Sequence, residues 1–365
     1  MAEPHERGGA VAPEVAQADR LALMIGQRHV GQRVGPLWRM DLLASPCRPE
    51  HGAQVYVAGR MRIAVVDLGT NSTRLLLAEV EDGAVRELER QTTVTRLGEA
   101  VDATGRLADD AVGRVFATLE RYRESIAGAE CTVAVATSAV RDARNGGQFR
   151  AALRERFGIE ARTLPGEEEA RLTFLGATAG RAARDETLVI DIGGGSTEYV
   201  VGVPGRDPDF HLSTRLGSVR HSERHLPTDP PAPGQLAALA EDVAGTIVAE
   251  VPQVWRGHVA AGIAVAGTAT SLAAIDQRLE PYDRERVHGY VVTLASCERM
   301  LDELAALPLE ERRAVPGLHP DRAPTIVAGA AILVESIRAF GLERIEISER
   351  DVLHGAALDA AGEPG

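Results

Sequence analysis

A strand that runs into an aspartate and then breaks into a glycine and hydroxyl turn occurs twice in this chain. One copy, Leu188 to Glu198, reads L-V-I-D-I-G-G-G-S-T-E. The other, residues 63–74, reads I-A-V-V-D-L-G-T-N-S-T-R, with Asp67, Gly69, Thr70 and Ser72 in matching places. The apolar run leading into each aspartate predicts a buried strand closed by a breaker. The glycines permit a tight turn and leave amide N–H groups uncovered, and a row of uncovered amides is a nest for phosphate oxygens. Asp191 just before its turn and Glu198 just after it could hold a divalent cation beside those oxygens. One such turn alone would be a hairpin with solvated carboxylates. Two of them, about one domain length apart, point to two similar halves facing one phosphate site.

The 365 residues suffice for two ordinary domains, and 44% hydrophobic with 25% charged residues is ordinary for a globular chain. Aromatics make up 4%, so the core must be aliphatic and alanine-rich. No apolar run approaches the ~20 residues of a membrane span. The net charge of −13 argues against general attraction to nucleic acid or to an anionic membrane. A polyanionic substrate would therefore need a metal ion and local arginines. All 40 basic residues are arginine, which excludes a lysine-bearing phosphate loop of the G-x-x-x-x-G-K type. Cys47, Cys131 and Cys297 are far apart and odd in number, which fits a reducing cytoplasm and argues against a disulfide frame.

Residues 1–60 differ from the rest, with seven arginines against six acids and no steady period. They read as a disordered extension or a misassigned start, with Met61 as the natural beginning of the folded part. From Met61 the pattern is strand at Ile63–Val66, turn, strand at Leu75–Val80, a hairpin signal at Asp82-Gly83 and a third strand over Val85–Val94. Residues 107–127 follow a helical period. Cys131–Ala136 reads as a buried strand, and Arg141 follows it, where open α/β sheets place ligand contacts and where a planar guanidinium suits phosphate. Asn145 is placed to cap the next helix. After a short strand at Ile159–Leu164, Pro165-Gly166 opens a helix with Glu167, Glu168 and Glu169 in its first turn. Acids there are favoured by the helix dipole. One of the three could be a general base, and spacing alone does not choose among them. Further on come a connector from Pro227 to Pro233, one long helix over 235–256, and a strand at Gly262–Ala266. Gly267-Thr268 then begins a third glycine and hydroxyl turn that could receive an anion. A buried helix over Ile326–Phe340 and a late strand at Ile345–Ile347 follow. His211, His221, His225, His288, His319 and His354 show no metal-ligand spacing and are read as structural or exposed.

Four stretches, D-L-G-T-N-S-T-R-L, T-S-A-V-R-D-A, G-E-E-E-A-R-L and V-I-D-I-G-G-G-S-T-E, occur in this order over Met61 to Leu358. As a set they resemble the exopolyphosphatase and guanosine pentaphosphate phosphatase family, within the superfamily of actin, sugar kinases and heat-shock chaperones. The resemblance implies an α/β fold of two ribonuclease-H-like, actin-like ATPase domains, each a mixed sheet flanked by helices, with the active site in the cleft between them. The domains would be 61–185 and 186–365, the last helix packing back on the first. It implies Glu169 as the catalytic carboxylate. Gly69, Thr70, Asn71, Ser72, Arg74, Gly193, Gly194, Gly195, Ser196, Thr197 and Arg141 would contact phosphate. Asp191 and Glu198, with Asp67 opposite, would bind magnesium; potassium is a further candidate. The expected reaction is hydrolysis of the terminal phosphate of inorganic polyphosphate in the cytoplasm, by a homodimer that needs neither nucleic acid nor membrane. The alternatives are hydrolysis of guanosine pentaphosphate, a kinase, and a regulatory nucleotide-binding module without turnover. The chain has no His-Asp dipeptide and so resembles the short, two-domain form. It departs from the family at Ala323-Pro324, where an acid usually follows the alanine, and that leaves the local helix start open.

Overall fold

The structure, a computed structural model, describes residues 60–182, 185–257 and 259–362. These all fall within one unit, Leu43–Gly365. The expectation of a disordered extension over residues 1–60 lies, apart from Arg60, outside the described residues. Strands β1 (Met61–Leu68), β2 (Ser72–Glu81), β3 (Ala84–Val94), β4 (Cys131–Ala136) and β5 (Ala161–Thr163) form a sheet ordered β3-β2-β1-β4-β5. β1, β2 and β3 pair antiparallel, while β1, β4 and β5 pair parallel. Strands β6 (Thr187–Ile192), β7 (Thr197–Gly202), β8 (Phe210–Thr214), β9 (Ala261–Val265), β10 (Val291–Thr293) and β11 (Arg344–Ile347) form a second sheet, ordered β10-β11-β9-β6-β7-β8. Read from β8 to β11 it repeats the order and directions of the first sheet, with β10 added antiparallel at the edge.

The repeat reaches the level of register. Asp67 lies opposite Arg74 across the β1–β2 hairpin, and Asp191 lies opposite Glu198 across β6–β7. The Asp82-Gly83 turn joining β2 to β3 takes φ of 49° and 72°, the left-handed pair that a two-residue hairpin requires.

The helix Gly166–Thr178 lies between the sheets. Leu172 packs with Ile63, Val65 and Leu76 of the first sheet, while Ala170, Phe174 and Ala177 pack with Val189, Val200, Ile263 and Val265 of the second. The last helix, Val352–Ala361, crosses it closely, burying Val352, Leu353 and Ala356 against the first sheet's residues. A Cβ on Gly355 would fall 1.8 Å from the Leu172 carbonyl oxygen, and one on Gly176 would fall 2.0 Å from that of Asp351. Two glycines therefore set how near these helices can come. In the second half the helix Ile326–Ala339 is buried on nearly every side up to Val334, as its apolar sequence there requires.

Three expectations are corrected. Residues 235–256 form two helices, Pro233–Glu250 and Gln253–Arg256. Pro252 separates them by driving Val251 out of helical geometry, to φ −93° and ψ 114°. Asn145 precedes its helix without capping it; its side chain accepts from Leu107 N at 2.9 Å and donates to Leu107 O at 3.0 Å, pinning the preceding loop. Cys131 is disulfide-bonded, against the expectation from the cysteine count, and Cys297 is free and buried. After Ala323-Pro324 the helix begins at Ile326, preceded by the 3₁₀ turn Pro320–Arg322.

Candidate active site

The carboxyl ends of β1, β4, β6 and β9 converge on one cavity, the position at which open α/β sheets bind ligands. Its walls are the two glycine turns, the residues after β4 and β9, and the first turn of the helix Gly166–Thr178. Both glycine turns close with the same hydrogen bond, Gly69 N to Ser72 O at 3.0 Å and Gly193 N to Ser196 O at 2.9 Å. The N–H groups of Thr70, Asn71 and Gly194 meet no acceptor among the described residues, so the amides on the cavity side are left for a ligand. The turns touch: a Cβ on Gly194 would fall 3.0 Å from Thr70 Cβ, and one on Gly195 would fall 2.5 Å from Ser138 Oγ. A side chain on Gly194 would press on Thr70 and one on Gly195 would force the Ser138 hydroxyl aside, so the two glycines ease this approach.

Of the predicted residues, Asp67, Gly69, Thr70, Asn71, Ser72 and Arg74 line the cavity from the first half, with Glu169 above them. Asp191, Gly193, Gly194, Ser196, Gly267 and Thr268 line it from the second. Four others lie elsewhere. Thr197 is fully buried and donates to Leu216 O at 2.7 Å, so its hydroxyl braces the turn from behind. Gly195 faces Ser138 and the adjoining groove, and its carbonyl accepts from Arg220 Nε at 2.9 Å. Glu198 sits behind Asp191 and Glu169, accepting from the Ser213 hydroxyl at 2.7 Å. Burial, then the charges of Glu169 and Asp191, push its carboxyl well above the usual carboxylate range. Arg141 lines the adjoining groove, where its Nη1 donates to Leu164 O at 2.9 Å and to Glu169 Oε2 at 3.0 Å.

Geometry separates the three glutamates that spacing could not. Glu167 is exposed, and Glu168 pairs with Arg171 at 3.2 Å. Glu169 alone is buried and lines the cavity. Burial raises its carboxyl to about 7 although Arg141 opposes the rise. Asp191 is raised to about 7 by burial and then by the negative charge of Asp351, and Asp67 is raised by burial as well.

Arg74 is already committed, with Nε donating to Asp67 Oδ2 at 2.7 Å and Nη1 to Asp351. Asp67 Oδ1 is buried with no hydrogen-bond partner, and Asp191 accepts only a long bond from Thr173 Oγ1 at 3.3 Å. The cavity is thus short of positive charge and offers free carboxylate oxygens, the donor set of a hard divalent cation.

Sequence reasoning missed Ser138, Asp351 and Arg322. Ser138 Oγ lies 2.8 Å from Thr70 Oγ1 and closes the wall after β4. Asp351 caps the last helix by accepting from Leu353 N at 3.0 Å. Burial pushes its carboxyl up, but Arg74 and Arg90 hold it down at about 2. Arg322 forms no ion pair or side-chain hydrogen bond among the described residues and lies directly on Gly267, where a Cβ would fall 1.3 Å from its Nη1. Gly267 therefore makes room for a guanidinium as well as opening a helix. The Ala323-Pro324 irregularity next to Arg322 was the only local signal. Away from the cavity, His221, His225 and Asp242 bring their donor atoms within 4.8 Å of one another, against the expectation that the histidines lack a metal-ligand arrangement.

Two α/β halves of one topology, turning paired glycine and hydroxyl loops and a buried glutamate toward one acidic cavity, define an actin-like phosphoryl-transfer fold. The chain belongs to the Ppx/GppA phosphatase family, which it matches over residues 76–363. It is 35% identical to exopolyphosphatase 2 of Mycobacterium tuberculosis, over 82% of this chain and 99% of that protein. It is 32% identical to exopolyphosphatase 1 of Mycobacterium bovis, over 82% and 88%. Among solved structures, an exopolyphosphatase-like protein at 33% identity covers 82% of this chain and 97% of its own, with a TM-score of 0.78. The Ppx/GppA family member of Aquifex aeolicus superposes with a TM-score of 0.70 at 29% identity, covering 82% and 97%. Among the described residues no helix is long and apolar enough to cross a membrane.

Proposed function

We propose that this chain is an exopolyphosphatase that hydrolyses the terminal phosphoanhydride bond of linear polyphosphate. The observation that carries the reading is that Glu169, alone of its acidic turn, lines the same cavity as both amide-bearing loops. The N–H groups of Thr70, Asn71 and Gly194 would hold the oxygens of the terminal phosphoryl group. Charge spreads over those oxygens in a loose transition state, so positioned donors there lower the barrier. Glu169 would orient a water and accept its proton as the water oxygen bonds to phosphorus and the bridging P–O bond breaks. The shortened chain leaves carrying the negative charge. A carboxylate near pKa 7 suits a base working near neutrality. Arg141 would steady Glu169 from the far side. Arg322 would meet the phosphate chain where the cavity opens into a groove that also holds Arg90 and Arg284.

Asp67 and Asp191 would hold Mg²⁺, which when bound would neutralise charge on the phosphoryl oxygens. Glu198, behind them and accepting from Ser213, would support that pair. A homodimer rests on the family resemblance alone and stays a proposal. A cytoplasmic location, expected from the cysteine usage, likewise stays a proposal.

Tyr282, half-exposed in the groove beside Arg322, favours a second substrate, guanosine pentaphosphate, whose base it could stack against. Phosphate release should be measured from polyphosphates of graded length and from guanosine pentaphosphate, without any acceptor. Release from polyphosphate with Mg²⁺ supports the proposal, and release from the nucleotide alone would replace it. Tight nucleotide binding with no release would make the protein a regulatory module.

A further inference from the structure

The helix Ser218–His225 places His221 and His225 one turn apart, their rings stacked at 5.6 Å between centroids. Asp242, on the helix Pro233–Glu250, faces both. His225 Nε2 lies 2.9 Å from Asp242 Oδ2 and His221 Nε2 lies 3.4 Å from it. His221 is only 1% exposed, yet its Nε2 is buried without a hydrogen-bond partner. A buried imidazole nitrogen with nothing to bind is costly, and this one is aimed at a carboxylate and a second imidazole.

The His221 Nδ1 faces the Gly217 peptide, accepting from Gly217 N at 3.2 Å and lying 3.1 Å from Gly217 O. Ligation through Nε2 selects the tautomer in which Nδ1 carries the proton and donates it to that carbonyl. Ligating histidines are held by that second hydrogen bond. The nearest cation is Arg224, whose Nη1 is 3.9 Å from Asp242 while its Nη2 pairs with Asp102 at 2.8 Å. Asp242 is 38% exposed, which gives an ion a route in and leaves a coordination position for water.

We propose that His221 Nε2, His225 Nε2 and Asp242 form a binding site for one transition-metal ion of the Zn²⁺ class. Metal–nitrogen bonds of ~2.0–2.1 Å in tetrahedral geometry place donors ~3.3 Å apart, and both measured separations lie close to this. Two imidazoles and one carboxylate select a borderline ion over Mg²⁺, so the site differs in kind from the acidic cavity. Its role is to clamp two helices of the second half. The first turn of the helix Ser218–His225 also supports the second glycine loop, with Ser218 N to Gly193 O at 2.9 Å and Val219 N to Gly194 O at 2.9 Å. A bound ion would brace that loop from behind.

The test uses the full chain, treated with a chelator and then dialysed against Zn²⁺ in excess Mg²⁺ with no polyphosphate present. Bound zinc, the visible spectrum of the Co²⁺ form and the thermal midpoint are read together. The wild type should hold one Zn²⁺ per chain at this site, give a tetrahedral Co²⁺ spectrum and melt higher with zinc. His225→Gln and Asp242→Asn, both partly exposed positions, should bind zinc at least ~10-fold more weakly and lose the spectrum and the shift. Retention of all three signals in both variants, or no zinc on the wild type, would overturn the assignment.

Discussion

Replacing Glu169 by glutamine tests the proposed chemistry with the least structural disturbance. The side chain keeps its shape, and its carbonyl oxygen can still accept from Arg141 Nη1, now at 3.0 Å from Oε2. The carboxylate is lost from a site where burial already disfavours charge and where Asp191 and Asp67 repel it. The variant should therefore melt at or above the wild-type temperature at pH 8. Its rate should fall ~10²–10⁴-fold, the usual worth of a positioned general base. The pH profile gives a second reading. With a pKa of about 7, Glu169 is ionised to roughly half at pH 7, about a tenth at pH 6 and about nine-tenths at pH 8. At saturating Mg²⁺, where Asp191 is held ionised, kcat/KM for phosphate release from polyphosphate should fall about tenfold from pH 8 to pH 6. That limb should vanish in Glu169→Gln. Turnover within a few-fold of wild type, with the acid limb intact, would remove Glu169 from the role of base.

Thr197→Val removes a hydroxyl that braces the turn without touching the cavity. It should cost about 1–3 kcal/mol by stranding the Leu216 carbonyl, lowering the melting temperature while kcat stays within twofold. Gly355→Ala drives a methyl against the Leu172 carbonyl oxygen, a backbone atom that cannot swing aside. A loss of ~3 kcal/mol or more in urea unfolding, with activity falling as Glu169's helix shifts, is expected. Metal removal has a signed pH dependence. Asp191 and Asp67 are raised in the folded state, so their contribution to stability is full in acid and is lost as pH rises, through about 7 for Asp191. Without Mg²⁺ the melting temperature should fall between pH 5 and pH 8. Added Mg²⁺ should restore it at pH 8 and do little at pH 5, and Asp67→Asn should shrink the restoration.

The chain's own order of residues determined a good deal. The aspartate and glycine turns are local: an apolar run, a breaker and small residues dictate a strand and a tight return wherever they fall. So β1, β2, β6 and β7, the hairpin at Asp82-Gly83 and the amide nests were legible, and their repetition marked two like halves. Pro252 was equally visible in the chain, yet residues 235–256 read as one helix. Other features depend on partners remote in sequence, and no local pattern encodes those. Glu169 differs from Glu167 and Glu168 only in which side of its helix meets the gap between the sheets. Arg74 was read as a phosphate ligand, but its charge is taken up by Asp67 and by Asp351, 277 residues away. Thr197 points inward because β7 alternates, and the Glu198 carboxyl is pushed up because burial sets it among other carboxyls. Arg322 reaches the cavity only because Gly267, in another element, leaves room for it. Periodicity and turn chemistry act over a few residues and are written in order along the chain. Burial, charge pairing and close approach act through space, and the tertiary fold alone sets them.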